Sequence, residues 1–350
     1  MKRWGDKIGK SENSKLGIGG MRVFPNGLGF SILLATSLTL AWASKDFAYD
    51  CARWGGGICS DAAIILIFFL QGYKMNRGEL AKVRYQSGQT IRVQVGILLC
   101  PALVVFCCWF LGLVVPQWLS PFILLAFLPT TIASGVVFSE KAGGDPGFAL
   151  GQATLSNLLG PAIVFFLWVC LHGNHTGLSI NNLVDHIGFT LIEIFCFTAL
   201  PLLIGSWVAG NYPLLKRKSW GSWIIGKIPV VCIAWLAYLA MSEVLANVET
   251  HVCVQLFKEL LFPLSLGWGT LAIIAWFWSQ GKEMDQERRI SSFFCITQKS
   301  LATGLPMIQI LVGAENQDFV LWVFPLILFH FIQLLFGIPV LHLLRRIDRS

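Results

Sequence analysis

Two short stretches decide how this chain is read: LPTTIASG, Leu128 to Gly135, and TQKSLATG, Thr297 to Gly304. Each interrupts a long apolar run. Laid on each other, the five residues from Thr131 to Gly135 align with the five from Ser300 to Gly304, at an offset of 169 residues. A small polar patch with Gly and Pro inside a membrane helix breaks it and frees backbone groups. Lipid cannot satisfy those groups, so such a break is tolerated only where it is buried or lines a cavity. Two breaks in corresponding positions of two halves point to a secondary transporter's binding site.

Composition agrees with a membrane setting. Hydrophobic residues make up 55% of the 350, charged residues only 13%, and mean hydropathy is +0.67. A soluble chain carries about a quarter charged residues. The class expected is therefore an all-α polytopic membrane protein. The ten Cys are scattered with no CxxC, most of them in apolar runs, and read as small core residues. Cys51 and Cys253 fall in expected loops, where a pair is open to them.

Apolar windows of about 20 residues are long enough to span a bilayer. They fall near 28–45, 58–73, 93–114, 119–141, 147–171, 186–209, 222–245, 260–280, 288–313 and 319–343. That gives a polar tail (1–27), a transmembrane domain (28–343) with halves at approximately 28–171 and 186–343, and a short tail (344–350). The tail before the first run is basic, and that run is too long for a cleavable leader, so it is expected to stay as an anchor. The segment 246–259 reads as a short interfacial helix.

Charge placement tests the count. With both termini in the cytoplasm, 22 of the 26 Lys and Arg fall on the inner side. Only Lys45, Arg53 and Lys258 fall outside, and Lys299 lies within the ninth span. Inner loops collect Lys and Arg. The net charge of +7 thus reflects topology, and nucleic acid is not the expected partner. Five spans per half is odd, so the second half enters the membrane upside down, as an inverted repeat with spans 4 and 9 broken. The plasma (cell inner) membrane is the expected location, and the lipid bilayer and a small-molecule or ion substrate are the expected partners.

The candidate substrate- or ion-binding residues cluster at the breaks: Thr130, Thr131, Ser134, Gln298, Lys299, Ser300 and Thr303. Thr297 adds a further hydroxyl. Half-helix ends carry partial charges of both signs, and the hydroxyls add ligands. Gln152 and Asn157 lie on the fifth span beside the first break, Gln94 on the third, and His330 and Gln333 on one face of the tenth. A cation within a span is a functional hypothesis in itself. Lys299 has three candidate partners: carbonyls of a half-helix, a bound anion, or Glu140 at the end of span 4. Otherwise it snorkels to the inner surface. No carboxylate pair or nucleophile–base spacing stands out, so no enzyme is expected, nor any cofactor. His172 and His175 lack a third ligand for a metal.

Three segments carry a family resemblance: IFFLQGYKMNRGEL (Ile67 to Leu80), the run from Leu128 to Pro161, and FCITQKSLATGLPM (Phe294 to Met307). They resemble the bile acid:sodium symporter-like (SBF-like) family. The narrower likeness is to the branch of bacterial SBF-like proteins and the seventh human member of the bile-acid solute carriers. The resemblance implies ten spans in two inverted five-span repeats, a panel and a core, and sodium held at the crossing of spans 4 and 9. It also implies a sodium ligand set from which this chain departs. Gly135 stands for an Asn, Cys295 for a Glu, Lys299 for a Gln, and Ala149 and Ala153 for two hydroxyl residues; Ser134 and Gln94 remain. The expectation is a transporter of an organic anion or amphipathic solute by alternating access, without classical sodium coupling. The alternative, from another class, is a regulatory membrane protein that modulates calcium homeostasis.

Overall fold

The computed structural model describes Thr36, Thr39 and residues 57–74, 87–172, 192, 195–212, 219–247, 250–312 and 319–347. Apart from Thr36 and Thr39, the first expected span lies outside the described residues, as does Cys51. Eleven helices are described: α1 (Gly57–Lys74), α2 (Ser87–Phe110), α3 (Pro116–Phe127), α4 (Ile132–Lys141), α5 (Pro146–His172), α6 (Leu200–Asn211), α7 (Ser219–Asn247), α8 (Thr250–Ser279), α9 (Gln286–Thr297), α10 (Leu301–Val312) and α11 (Phe319–Ile347). A π-helical turn, Phe195–Ala199, leads into α6. Among the described residues the only β pairing is a single bridge.

Four of these helices are long and apolar enough to cross a membrane: Ser87–Phe110, Pro146–Cys170, His251–Ser279 and Phe319–Leu344. Their sequences are apolar on every side, as a helix in lipid must be. Leu99, Phe106, Ile273 and Phe277 sit on outward faces, where a soluble protein would place polar residues. Proline recurs inside the helices, at 101, 161, 229, 263, 306, 325 and 339. Membrane helices tolerate it where neighbours satisfy the freed carbonyls. The chain is an integral multi-pass membrane protein.

One expectation is corrected. The segment 246–259 is not a separate interfacial helix, because α8 runs unbroken from Thr250 to Ser279. Cys253 is on that helix and buried, not in a loop. His251, Lys258 and Glu259 are exposed on a helix whose other face buries Cys253 and Leu260.

The two stretches expected to be broken, 119–141 and 288–313, are both broken. α3 and α4 are separated by Leu128 to Thr131, and α9 and α10 by Gln298 to Ser300. The chain is extended at Leu128 (ψ 146) and at Gln298 (φ −101, ψ 119). Around these breaks pack α2, α5, α8 and α11. Helices α1, α6 and α7 pack mainly on one another. The chief contacts between the two groups run from α7 to α10 and α11, and from the π turn to α5. Helices α1 and α6 approach backbone to backbone. A Cβ on Gly72 would strike the Leu202 carbonyl, and one on Gly205 the Phe69 carbonyl.

Candidate functional site

The two breaks meet. Thr130 and Lys299 form an antiparallel bridge, and the Ser300 N–H donates to the Pro129 carbonyl at 2.9 Å. The paired residues are 169 apart, the offset found by laying the two sequence stretches on each other.

Interrupting two helices frees backbone groups deep in the protein, and each needs a partner. Much of the local sequence is explained by how they find one. The Thr130 N–H donates to Ser156 Oγ at 3.2 Å. The Thr130 carbonyl accepts from Asn157 Nδ2 at 2.7 Å, and the same amide donates to the Ala153 carbonyl. The Lys299 N–H donates to Gln333 Oε1 at 2.7 Å, and Gln333 Nε2 donates back to the Lys299 carbonyl at 2.9 Å. Gln333 thereby acts as a side-chain strand beside the broken segment. Its Nε2 also lies 2.7 Å from His330 Nδ1.

The new helix starts are capped. Ser300 Oγ accepts from the Thr303 N–H at 3.2 Å, the bond expected of an N-cap serine. The Thr131 carbonyl accepts from the Gly135 N–H, and the Ser300 carbonyl from the Gly304 N–H, opening α4 and α10 alike. Thr303 Oγ1 donates to Asn157 Oδ1 at 2.7 Å, and Ser134 Oγ to Gln298 Oε1 at 2.9 Å. Thr297 is different: its hydroxyl bonds back to the Phe293 carbonyl and serves its own helix. Thr130 Oγ1 is buried with no hydrogen-bond partner.

Lys299 does not snorkel. Its side chain is among the largest fully buried ones, at 1% exposure. Nζ donates to the carbonyls of Ile97 (2.6 Å), Ala126 (2.8 Å) and Leu128 (2.9 Å). Each of these carbonyls lacks a helical donor for a stated reason. Ile97 precedes Pro101 by four residues, and proline has no N–H to give it. Ala126 lies in the last turn of α3, and Leu128 just beyond it, where carbonyls are left over and the helix dipole is negative. Of the three expected partners, the half-helix carbonyls are the ones found. Glu140 stands exposed near the end of α4.

The structure thus brings Thr130, Thr131, Ser134, Asn157, Gln298, Lys299, Ser300, Thr303 and His330 into one neighbourhood at the crossing. Gln94 and Gln152 form a separate cluster. Gln94 Nε2 donates to Gln152 Oε1 and to its carbonyl, and Gln152 Nε2 donates to Thr90 Oγ1. They bond to each other rather than to the break residues. At three of the positions where the resemblance implies sodium ligands, the residues are soft or apolar: Cys295, Ala149 and Ala153 are all buried, and the Cys295 thiol donates to the Ala149 carbonyl at 3.7 Å.

Beside the crossing lies a largely apolar cavity. Val104, Val114, Phe122, Leu125, Leu264 and Phe329 line it, and Lys299 is at its wall. Sequence reading placed Gln333 on one face with His330, where helix-to-helix hydrogen bonding explained it equally well, and did not single out Ser156 or Pro101. Pro101 is the one signal that could have pointed to the Ile97 carbonyl.

Residues 29–346 match the family described as the SBF-like CPA transporter family. YfeH of Escherichia coli K12, provisionally named a symporter, is 29% identical over 290 residues, covering 78% of this chain and 80% of that protein. An uncharacterized protein of Pseudomonas aeruginosa is 30% identical over 307 residues, covering 79% and 81%. The sodium/bile acid cotransporter 7 of Danio rerio is 23% identical over 290 residues, covering 79% and 80%. The broken, crossing helices thus sit in a chain whose match is nearly end to end, and it belongs to the SBF-like CPA transporter family.

Proposed function

We propose that this protein is a secondary active transporter of an organic anion or amphipathic solute, working by alternating access without classical sodium coupling. The observation that carries the reading is the Thr130–Lys299 bridge. When two halves are related by a two-fold axis, a residue that touches its own counterpart lies on that axis. Thr130 and Lys299 are counterparts under the 169-residue offset, and they are the pair that touches. This supports ten spans arranged as two inverted five-span repeats, with both termini cytoplasmic. In transporters so built, the solute site lies at the repeat interface near the midplane.

Two further features support the finer terms. Among the described residues, helices α1, α6 and α7 pack chiefly on one another, which suits a panel against which the core moves. The cavity beside Lys299 is apolar, which suits a solute with a hydrocarbon body. The plasma (inner) membrane is the location proposed, from the inner-side bias of Lys and Arg.

Uptake into proteoliposomes tests the reading, with amphipathic organic anions offered in sodium or in choline buffer. The expected result is saturable uptake of equal rate in both. Sodium-dependent uptake with charge movement would show that other residues rebuild a sodium site. No uptake of any solute, with ion flux altered in cells, would favour the regulatory alternative.

A further inference from the structure

The carbonyls of Ile97, Ala126 and Leu128 converge on one point, and that point is filled by Lys299 Nζ. All three partners only accept, so Nζ must donate three hydrogens. A neutral amine has two. The geometry therefore requires the charged ammonium, with every N–H used. No carboxylate takes part: the three contacts are backbone oxygens at 2.6, 2.8 and 2.9 Å. Ringed carbonyls of this kind replace the hydration shell of a monovalent cation.

We infer that these three carbonyls form a monovalent-cation site, and that Lys299 is its permanent, tethered occupant rather than a ligand for solute. An ammonium with no free N–H has nothing to offer an anion at hydrogen-bond distance. Its charge instead joins α2, the end of α3 and the start of α10 into one unit. The site is built by three separate devices: the missing N–H of Pro101, the end of α3, and the turn at Leu128. Removing the tether leaves a vacancy for a free cation of the same shape. The inference shares the crossing geometry with the transport reading, but its test reads stability, so the two can fail separately.

The test is Lys299→Ala, purified and melted in different salts. Propylammonium supplies the three carbons and the ammonium that the substitution removes. The apolar cavity that Lys299 helps to line adjoins the space the substitution vacates. The variant should melt below the unmodified protein, and propylammonium should raise its Tm by about 3 °C or more once its concentration is about ten times the dissociation constant. Propyltrimethylammonium, which has the charge but no N–H, should do nothing, and neither salt should move the unmodified protein. A variant as stable as the parent, or equal effects of both salts, overturns the inference. A measurement on the unmodified protein guards against a variant that fails to fold. With 15N-labelled lysine, one slowly exchanging NζH3 signal at neutral pH is expected among lysines that otherwise exchange fast. Its absence also overturns the inference.

Discussion

Thr130 gives its backbone to the crossing on both sides, yet its hydroxyl is buried without a partner. Burying an unpaired hydroxyl costs about 1–3 kcal/mol in protein settings. Thr130→Val keeps the shape and removes that cost, so thermal melting should show equal or higher stability. If the hydroxyl serves the solute, uptake should fall in the same variant. Ser300 behaves oppositely, because its Oγ caps α10. Ser300→Ala should lose about 1 kcal/mol of stability before any effect on transport is read. The hydroxyls around the breaks were legible in sequence as a cluster, but not their separate duties. Thr297, Ser300 and Thr130 look alike as residue types; one bonds back to its helix, one caps, and one stands unpaired.

At the scale of elements, the two breaks are matched in backbone and unmatched in packing. A Cβ added at Gly304 would meet Leu128 Cδ1 and Leu326 Cδ2 at 2.8 Å. At its counterpart Gly135 the nearest atom is Thr130 Oγ1, at 3.6 Å, an ordinary contact. Gly304→Ala should therefore destabilise by about 1–3 kcal/mol, and Gly135→Ala by little, in a side-by-side melting comparison. The crossing of α1 and α6 is tighter still, since backbone carbonyls stand where methyl groups would go. Gly72→Ala and Gly205→Ala should each lower folded yield, and combining them should cost less than the sum, because one forced separation relieves both clashes. The existence and place of the breaks could be read early, because clustered hydroxyls, Gly and Pro stand out inside apolar runs. The partners that complete them could not. Gln333 is a lone amide in an apolar helix, and the Ile97 carbonyl is backbone, marked only by a proline four residues later.

For the whole molecule, the placement of cations makes a claim that labelling can check. Single cysteines placed between residues 75 and 86 and in the segment 216–218 should react with the same impermeant reagent from the same, cytoplasmic side. Opposite accessibility would remove the inverted repeat. Length and hydropathy placed most helices well. The failure was at α8, which carries the exposed His251, Lys258 and Glu259 toward one end of a single unbroken helix. A helix that passes from the interface into the bilayer carries polar residues at one end without a break in its backbone, and composition alone cannot distinguish the two.

The Thr130–Lys299 pair also bears on ancestry. In an assembly of two identical chains, a position on the two-fold axis faces its own copy. A lysine there would face a lysine, and two buried ammonium groups close together repel with no counter-charge between them. A single chain holding both halves is free of that rule, since each half mutates alone. If the two halves descend from one duplicated gene, the lysine arrived after they were joined. Relatives made of two separate identical subunits should then carry an uncharged residue at this position.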